Sequence, residues 1–374
     1  MALTGLQIQK LLPKTNCKEC GSNTCMAFAM KLAAKKAEIS QCPYASDEAK
    51  QKLGAATEPP VRTVALGPDK SLSVGGETVL YRHEKTFVNQ TLLAVDIDDS
   101  ADDATIDAAV ERVAGYTLER VGEQLRVEMM AVTQHQPDPD RFAAVARRVQ
   151  ERSGRPLVLR SDNADALCLA AEAVAGTGGV LSAARLATAE RLCDVAQRYG
   201  HALAVSGESL DEITATTALL REKGMRDLLL QLQTHSLSEY FQTNSIVRRA
   251  ALKDNVKTLG YPCLRFVQSD DYLDTVVETI TEIDKYGGIC VLPSFDPAQL
   301  SALMTLRQNI FTDPQKPIQV EPKVYPIGEP GKDSPVFVTT NFSLTYFLVS
   351  AEIENSGTSA WLVVPECEGM SVLT

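Results

Sequence analysis

Nowhere in its 374 residues does this sequence carry an apolar run approaching the roughly 18 residues that a membrane-spanning helix needs. Its start also lacks a basic segment followed by an apolar core. The expectation is a cytoplasmic protein with no membrane partner. Nor is there a surplus of positive charge: 37 Lys and Arg stand against 48 Asp and Glu, for a net charge of -11. Phosphate binding draws on such a surplus, which argues against nucleic acid as the main partner. Nine cysteines, an odd number in a chain without a secretion signal, do not read as a disulfide framework. Paired glycosidase-like carboxylates, a nucleophile elbow and a His-x-His metal pair are all missing. What is there is 44% apolar and 23% charged residues, in a chain long enough for two or three domains with sizeable cores.

Four of the cysteines cluster. Cys17, Cys20, Cys25 and Cys42 are separated by two, four and sixteen residues. They lie in a segment of basic balance, since residues 1–57 hold eight Lys and no Arg against Glu19, Glu38, Asp47 and Glu48. The pattern predicts a helix over 3–12 stopped by Pro13, the polar loop Asn16-Cys17-Lys18-Glu19-Cys20-Gly21, and a second helix over 25–37. The second helix presents Phe28 and Leu32 on a packing face, and Cys42-Pro43 follows it. Two or three thiolates then sit at a helix N-terminus, where free N–H groups and the positive end of the macrodipole favour an anionic ligand. Gly21 lets the backbone approach closely, and N–H donors to sulfur help set a reduction potential. Zinc sites usually pair two Cys-x2-Cys knuckles, and only one such pair exists here. The spacing points to a [4Fe-4S] cluster on the four thiolates, in a module for low-potential electron transfer, with zinc as the alternative. The lysines read either as stabilising the anionic cluster and guiding an acidic redox partner, or as a solvated face. Cys168, Cys193, Cys263, Cys290 and Cys367 lie in or beside apolar stretches and read as small buried hydrophobes.

Residues 58–62 read as a linker, and 63–88 as short strands around a turn at Val74-Gly75-Gly76-Glu77. Eight short apolar runs follow, at 92–97, 127–133, 157–160, 179–182, 202–206, 228–232, 264–267 and 289–292. Segments of helical period come between them, such as 103–118, 141–152, 185–199 and 237–259. That count and length are those of a (β/α)8 barrel of the TIM type, with a doubly wound open sheet as the alternative. The runs end on polar residues, among them Asp96, Asp98, Asp99, Gln134, His135, Ser161, Asp162, Asn163, Ser206, Glu208, Gln233, His235 and Gln268 to Asp270. In a barrel these positions form the mouth where chemistry occurs; equally, loops that start helices need polar caps.

After Phe295 the pattern changes to a passage containing Pro314, Pro317, Pro322, Pro326, Pro330 and Pro335, read as a connection. A strand over 336–339, a polar turn at Thr340-Asn341, a helix over 343–354 and a strand over 360–364 then form a βαβ unit. Its loops meet at one end of the strands, the usual place for a cofactor. A single βαβ unit cannot bury both faces of its sheet, so the expectation is a last domain that is incomplete at Thr374. The domain reading is 1–57 iron-sulfur module, 58–91 linker and hairpin, 92–312 barrel and 313–374 the start of a Rossmann-like α/β domain.

Taken together, the chain resembles the large (gamma) subunit of the corrinoid iron-sulfur protein of the reductive acetyl-CoA pathway. The resemblance covers the whole length. It rests on Asn16 to Gly21 with Cys25 and Cys42-Pro43, on the eight-fold central unit, on 339–346 (Thr-Thr-Asn-Phe-Ser-Leu-Thr-Tyr) and on 368–374 (Glu-Gly-Met-Ser-Val-Leu-Thr). It implies a methyl carrier with a cobalt corrinoid in the C-terminal domain, cycling between Co(I) and methyl-Co(III). Methyltetrahydrofolate would supply the methyl group through a separate methyltransferase, and acetyl-CoA synthase/CO dehydrogenase would receive it. The [4Fe-4S] cluster would return Co(II) to Co(I), fed by a reductive activator or ferredoxin. A small subunit, itself a barrel, would complete a heterodimer.

The resemblance places corrinoid contacts on Thr340, Tyr346, Met370, Ser371, Val372, Leu373 and Thr374, where Thr340 and Ser371 read alternatively as plain helix caps. Cobalamin modules of another kind ligate cobalt through an Asp-x-His-x-x-Gly loop, absent here: His83, His135, His201 and His235 all precede the last domain. Two other classes stay open, a dedicated electron-transfer protein without corrinoid chemistry and a barrel methyltransferase that binds the pterin itself.

Overall fold

A computed structural model describes residues 4–33, 37, 39–46, 49, 53, 59–80, 88–269, 271–312 and 318–367. Helix α1 (Gly5–Leu11) starts on a capping box in which the Thr4 hydroxyl and the Gln7 side chain each accept a backbone N–H. It ends at Leu12, just before Pro13. Helix α2 (Cys25–Ala33) packs on it, and Ile8, Leu12, Phe28, Ala29 and Leu32 form a small core with Ile39, Cys42, Ala45 and Leu53. Residues 34–36 of the second predicted helix lie outside the described residues.

Strands β1 (Val64–Leu66) and β2 (Leu72–Val74) pair antiparallel. The predicted hairpin exists, but its turn lies at 67–71 and not at Gly75-Gly76. That glycine pair serves close approach instead. Gly75 has φ +79, and a Cβ there would sit 2.3 Å from the Arg62 carbonyl oxygen.

The barrel strands are β3 (Leu92–Asp98), β6 (Met129–Thr133), β7 (Leu157–Arg160), β8 (Val180–Ala184), β9 (Ala202–Gly207), β10 (Leu228–Leu232), β11 (Leu264–Phe266) and β12 (Ile289–Leu292). All pair in parallel, in the order β10-β9-β8-β7-β6-β3-β12-β11. A parallel bridge between Leu230 and Cys263 joins the two end strands. The ring closes, which removes the open doubly wound alternative. Around it lie α3 (Asp103–Gly115), α4 (Pro139–Ser153), α5 (Ala164–Ala173), α6 (Ala189–Tyr199), α7 (Leu210–Glu222), α8 (Leu237–Leu252), α9 (Tyr272–Asp284) and α10 (Pro297–Phe311).

The strands separate into two cores because alternate residues face opposite sides. Leu93, Val95, Met130, Val132, Leu159 and Leu230 pack outward against the helices. Leu92, Ala94, Met129, Ala131, Val158, Val180, Leu229 and Ile289 fill the lower bore, together with Val64, Leu66 and Val74 of the hairpin. The hairpin is thus the floor of the barrel. It is fixed there by backbone hydrogen bonds from the Gly67 N–H to Gly178 and from the Arg62 N–H to Gly260, both 2.9 Å.

Two elements depart from expectation. The helix predicted over 103–118 ends at Gly115, and a two-strand ribbon follows, β4 (Leu118–Arg120) with β5 (Glu123–Leu125). Its turn residues, Val121 at φ 53 and Gly122 at φ 79, both take the left-handed conformation that a type I′ turn requires. In the C-terminal part, β14 (Val336–Val338), α11 (Ser343–Asn355) and β15 (Ala360–Val364) form the expected βαβ unit with parallel strands. The proline passage taken as a connection also contains a strand, β13 (Lys323–Ile327), antiparallel to β15 and carrying Pro326. It is an edge strand, where a missing N–H can face outward. Cys193, Cys263, Cys290 and Cys367 are buried and unpaired, as read, and Cys168 is half-buried.

The last barrel helix is locked to the first strand by Arg307. The residue is 1% exposed, and its guanidinium donates to the Thr91 carbonyl at 2.8 Å and to both Glu128 oxygens at 2.7 and 3.0 Å. Glu128 also accepts the Leu93 N–H at 3.0 Å. Replacing Arg307 with Met leaves a shielded carboxylate without its cation. We expect a loss of about 3 kcal/mol in urea unfolding, and an unchanged midpoint would show that the pair contributes nothing net.

Candidate metal centre and cofactor cradle

Cys25 is the first residue of α2, and the Thr24 hydroxyl caps that helix by accepting the Ala27 N–H at 3.0 Å. The loop before it is wound tightly: Lys14, Asn16, Lys18 and Gly21 all have positive φ, at 59, 49, 67 and 71 degrees. Asn16 touches Cys25 twice. Its side-chain oxygen accepts the Cys25 N–H at 2.7 Å, and its own N–H points at the Cys25 sulfur at 3.4 Å. Cys42 follows a 3-10 turn (Ile39–Gln41) and is buried. The Tyr44 hydroxyl donates to Glu19 at 3.0 Å, tying this segment to the Cys17–Cys20 loop.

Burial pushes the Cys42 thiol up, a hydrogen bond from the Tyr44 backbone works against that, and the neighbouring Cys20, Cys25 and Cys17 add to the rise. The other three sulfurs thus each act electrostatically on Cys42. Among the described residues no three His, Cys, Asp or Glu side chains converge closely enough for a single metal ion. An iron-sulfur cube asks for thiols at the corners of a larger cage, and an all-thiolate donor set suits it.

The second site lies where β14 and β15 end. Asn341, 1% exposed, donates to the Glu366 carboxylate at 3.3 Å and so joins the two strand-end loops. Its carbonyl also accepts the Val320 N–H at 2.8 Å. Thr340 was open to reading as a helix cap, but Phe342 occupies that position and makes no side-chain cap bond. The Thr340 hydroxyl is instead buried without a partner, as is the Ser343 hydroxyl. The Tyr346 ring packs at a tilt against Tyr325, 4.7 Å between centres, and edge-to-face against Phe347 at 5.1 Å. Burial pushes its hydroxyl up. Met370, Ser371, Val372, Leu373 and Thr374 lie outside the described residues. Asn341 is expected only as part of a polar turn and Ser343 only as a helix start; the signal for more is the concentration of hydroxyl and amide side chains at 339–345, at a strand end.

The barrel mouth carries a polar layer above the apolar floor. The Thr133 hydroxyl donates to Asp96 at 2.6 Å, Ser182 to Gln231 at 2.5 Å and Gln233 to Ser206 at 2.8 Å. Arg160 reaches across the bore to lie 4.4 Å from the Phe266 ring centre. Two predicted mouth residues have structural roles: Asn163 caps its helix by accepting the Asp165 N–H at 2.9 Å, and Asp99 ties two loops by accepting the His135 and Gln136 N–H groups at 2.7 and 3.0 Å. A polar cleft of about 200 Å³ remains between β10 and β11, lined by Gln233, His235, Arg265, Gln268 and Glu278. Asp270 lies outside the described residues.

A closed (β/α)8 barrel, preceded by a four-thiol module and followed by a small α/β unit with a cradle at its strand ends, defines the class: a barrel protein with an attached metal module. Residues 63–374 match the family described as the CO dehydrogenase/acetyl-CoA synthase delta subunit, and residues 12–44 match one described as a putative Fe-S cluster. The chain belongs to that CO dehydrogenase/acetyl-CoA synthase family. It is 37% identical over 375 residues to the corrinoid/iron-sulfur protein large subunit of Moorella thermoacetica, covering 100% of this chain and 84% of that protein. It is 31% identical over 403 residues to the acetyl-CoA decarbonylase/synthase complex subunit gamma of Methanocaldococcus jannaschii, covering 99% and 82%. Among solved structures, dihydropteroate synthase from Thermus thermophilus is similar with a TM-score of 0.46 and 16% identity, over 65% of this chain and 98% of that one. No helix among the described residues is long and apolar enough to cross a membrane.

Asp96 gives the mouth a pH signature. Burial pushes its carboxyl up to about 6, against the Thr133 hydrogen bond and the charge of Arg160. A raised carboxyl contributes stability in its protonated form, present at acid pH and lost as pH rises from the unfolded value near 4 through 6. Asp96→Asn removes that loss. The variant should be more stable than the parent by roughly 2 kcal/mol at pH 7 and equal to it near pH 4; a pH-independent difference in thermal unfolding contradicts the assignment.

Proposed function

We propose that this chain is the large subunit of a corrinoid iron-sulfur methyl carrier, acting in acetyl-CoA synthesis or breakdown. The observation that carries the reading is the pair of buried, unpartnered hydroxyls of Thr340 and Ser343, set where two parallel strands end. A buried hydroxyl without a partner costs roughly 1–3 kcal/mol, and the amide rim of a corrinoid offers the missing donors and acceptors. The full-length similarity to a protein named for both groups supports the same reading.

In this reading Cys17, Cys20, Cys25 and Cys42 hold a [4Fe-4S] cluster, and Thr340, Ser343, Tyr346 and the 370–374 segment hold the corrinoid. Once bound, the cobalt would supply the nucleophile that takes and passes on a methyl group, and the cluster an electron that restores it after accidental oxidation. The protein's part is placement. The Tyr325–Tyr346 pair forms an apolar wall under a polar rim, and the Asn341–Glu366 contact holds the two loops at fixed separation. The four histidines, His83, His135, His201 and His235, all precede residue 313, so residues 313–374 would hold the corrinoid through hydroxyl, amide and backbone groups. The partners that fit are a barrel-type small subunit, a methyltetrahydrofolate-dependent methyltransferase, an acetyl-CoA synthase, and a reductive activator or ferredoxin.

The test is metal analysis with absorption spectra on the full chain purified anaerobically with its small subunit. We expect about four irons, equivalent acid-labile sulfide, and corrinoid cobalt in stoichiometric amount. Iron without corrinoid would instead establish a dedicated electron-transfer protein, and zinc would overturn the module. Cys42→Ala should leave a three-iron form or none, whereas an unaltered cluster spectrum would remove Cys42 from the ligand set.

A further inference from the structure

Asn16 stands apart from the other residues of the cysteine loop. Like Lys14 and Lys18 it is in the left-handed region, at φ 49, a conformation that Asn tolerates better than most side chains, but what distinguishes it is its pair of contacts with Cys25. That backbone turn brings its N–H to within 3.4 Å of the Cys25 sulfur, while its side-chain oxygen takes the Cys25 N–H at 2.7 Å. One residue thus grips both ends of a single cysteine. A helix cap needs only the second contact. The first, from backbone to sulfur, does nothing for the helix; its polarity suits a thiolate that carries charge.

We propose that Asn16 is a positioning residue for the iron-sulfur centre, which fixes Cys25 as a ligand and raises the reduction potential through its N–H. The inference rests on the cluster reading above. An N–H aimed at sulfur stabilises the state with more negative charge, which is the reduced one, and hydrogen bonds to the sulfurs are among the factors that set cluster potentials. The side-chain contact contributes separately. By holding the Cys25 N–H, it keeps the first turn of α2 and its sulfur in one orientation, so that iron at that corner is retained.

Two substitutions separate these roles from a merely structural one. Asn16→Gly keeps the left-handed backbone and the N–H but loses the oxygen; Asn16→Asp keeps an acceptor of the same shape. Both are made in the full chain, reconstituted anaerobically, and followed by the electron paramagnetic resonance of the reduced cluster during a potentiometric titration and by iron loss to a chelator. The glycine variant should lose iron roughly five-fold faster, the factor that one hydrogen bond of ordinary strength supplies. Its midpoint should shift downward, because a glycine no longer tied to the Cys25 N–H holds its own N–H on the sulfur less firmly. The aspartate variant should hold iron as the parent does while titrating at a lower potential, because it adds a negative charge. A glycine variant that titrates and retains iron like the parent overturns the inference. So does equal iron loss from both variants, since aspartate preserves the acceptor. Absence of any reduced-cluster signal in the unaltered protein takes down the cluster reading itself, and is told apart by appearing without substitution.

Discussion

Closing eight parallel strands into a ring leaves no strand edge unpaired, but it creates a bore that side chains must fill. The way this chain fills it sets the rest of the architecture. Residues facing inward at the strand starts are apolar and meet the β1–β2 hairpin from below, so the lower half is dry. Further up, the same inward row turns to Asp96, Thr133, Ser182, Ser206 and Gln231, which pair among themselves and with Gln233. Arg160 lies over Phe266 and spans what width is left. A bore filled in this way is occupied largely by its own side chains, which fits a scaffold for the two small modules that precede and follow it in sequence.

The two modules solve a shared difficulty by different means. Neither has a core large enough to hold an ordered site by apolar burial alone; small units need additional ties. Around the thiols the ties are short polar contacts: Tyr44 to Glu19, Lys31 to the Gly21 carbonyl, Asn16 to Cys25. At the C-terminal unit they are the Asn341 bonds to Glu366 and Val320, laid over a core of Ile327, Ile353, Leu362 and Val364. In each case the contacts join segments separated in sequence.

How much of this was legible beforehand follows from which forces are local. The eight strands were readable because a strand flanked by helices on one side and a filled bore on the other must be apolar on both faces, and such runs show in the sequence. The cysteine spacing marks the segment that the putative Fe-S cluster family also matches, residues 12–44. The β4–β5 ribbon was hidden by Val121, a β-branched residue at positive φ that no propensity anticipates. Strand β13 was hidden by Pro326, which an edge position tolerates. The turn of the first hairpin was assigned to Gly75-Gly76 because glycine marks both turns and close approaches, and only the neighbouring Arg62 backbone tells which. The roles of Asn16, Asn341 and Ser343 depend on burial and on partners distant in the chain, which spacing does not encode.

The sealed floor has a mechanical consequence. With Val64, Leu66 and Val74 wedged among the strand starts and Arg307 riveting the last helix to the first strand, the barrel has no soft end below. Deformation is confined to the loops of the upper rim. A partner that grips the outer helices therefore holds a stiff handle, anchored at its foot where Arg62 is bonded to Gly260 and Lys257 to Pro59.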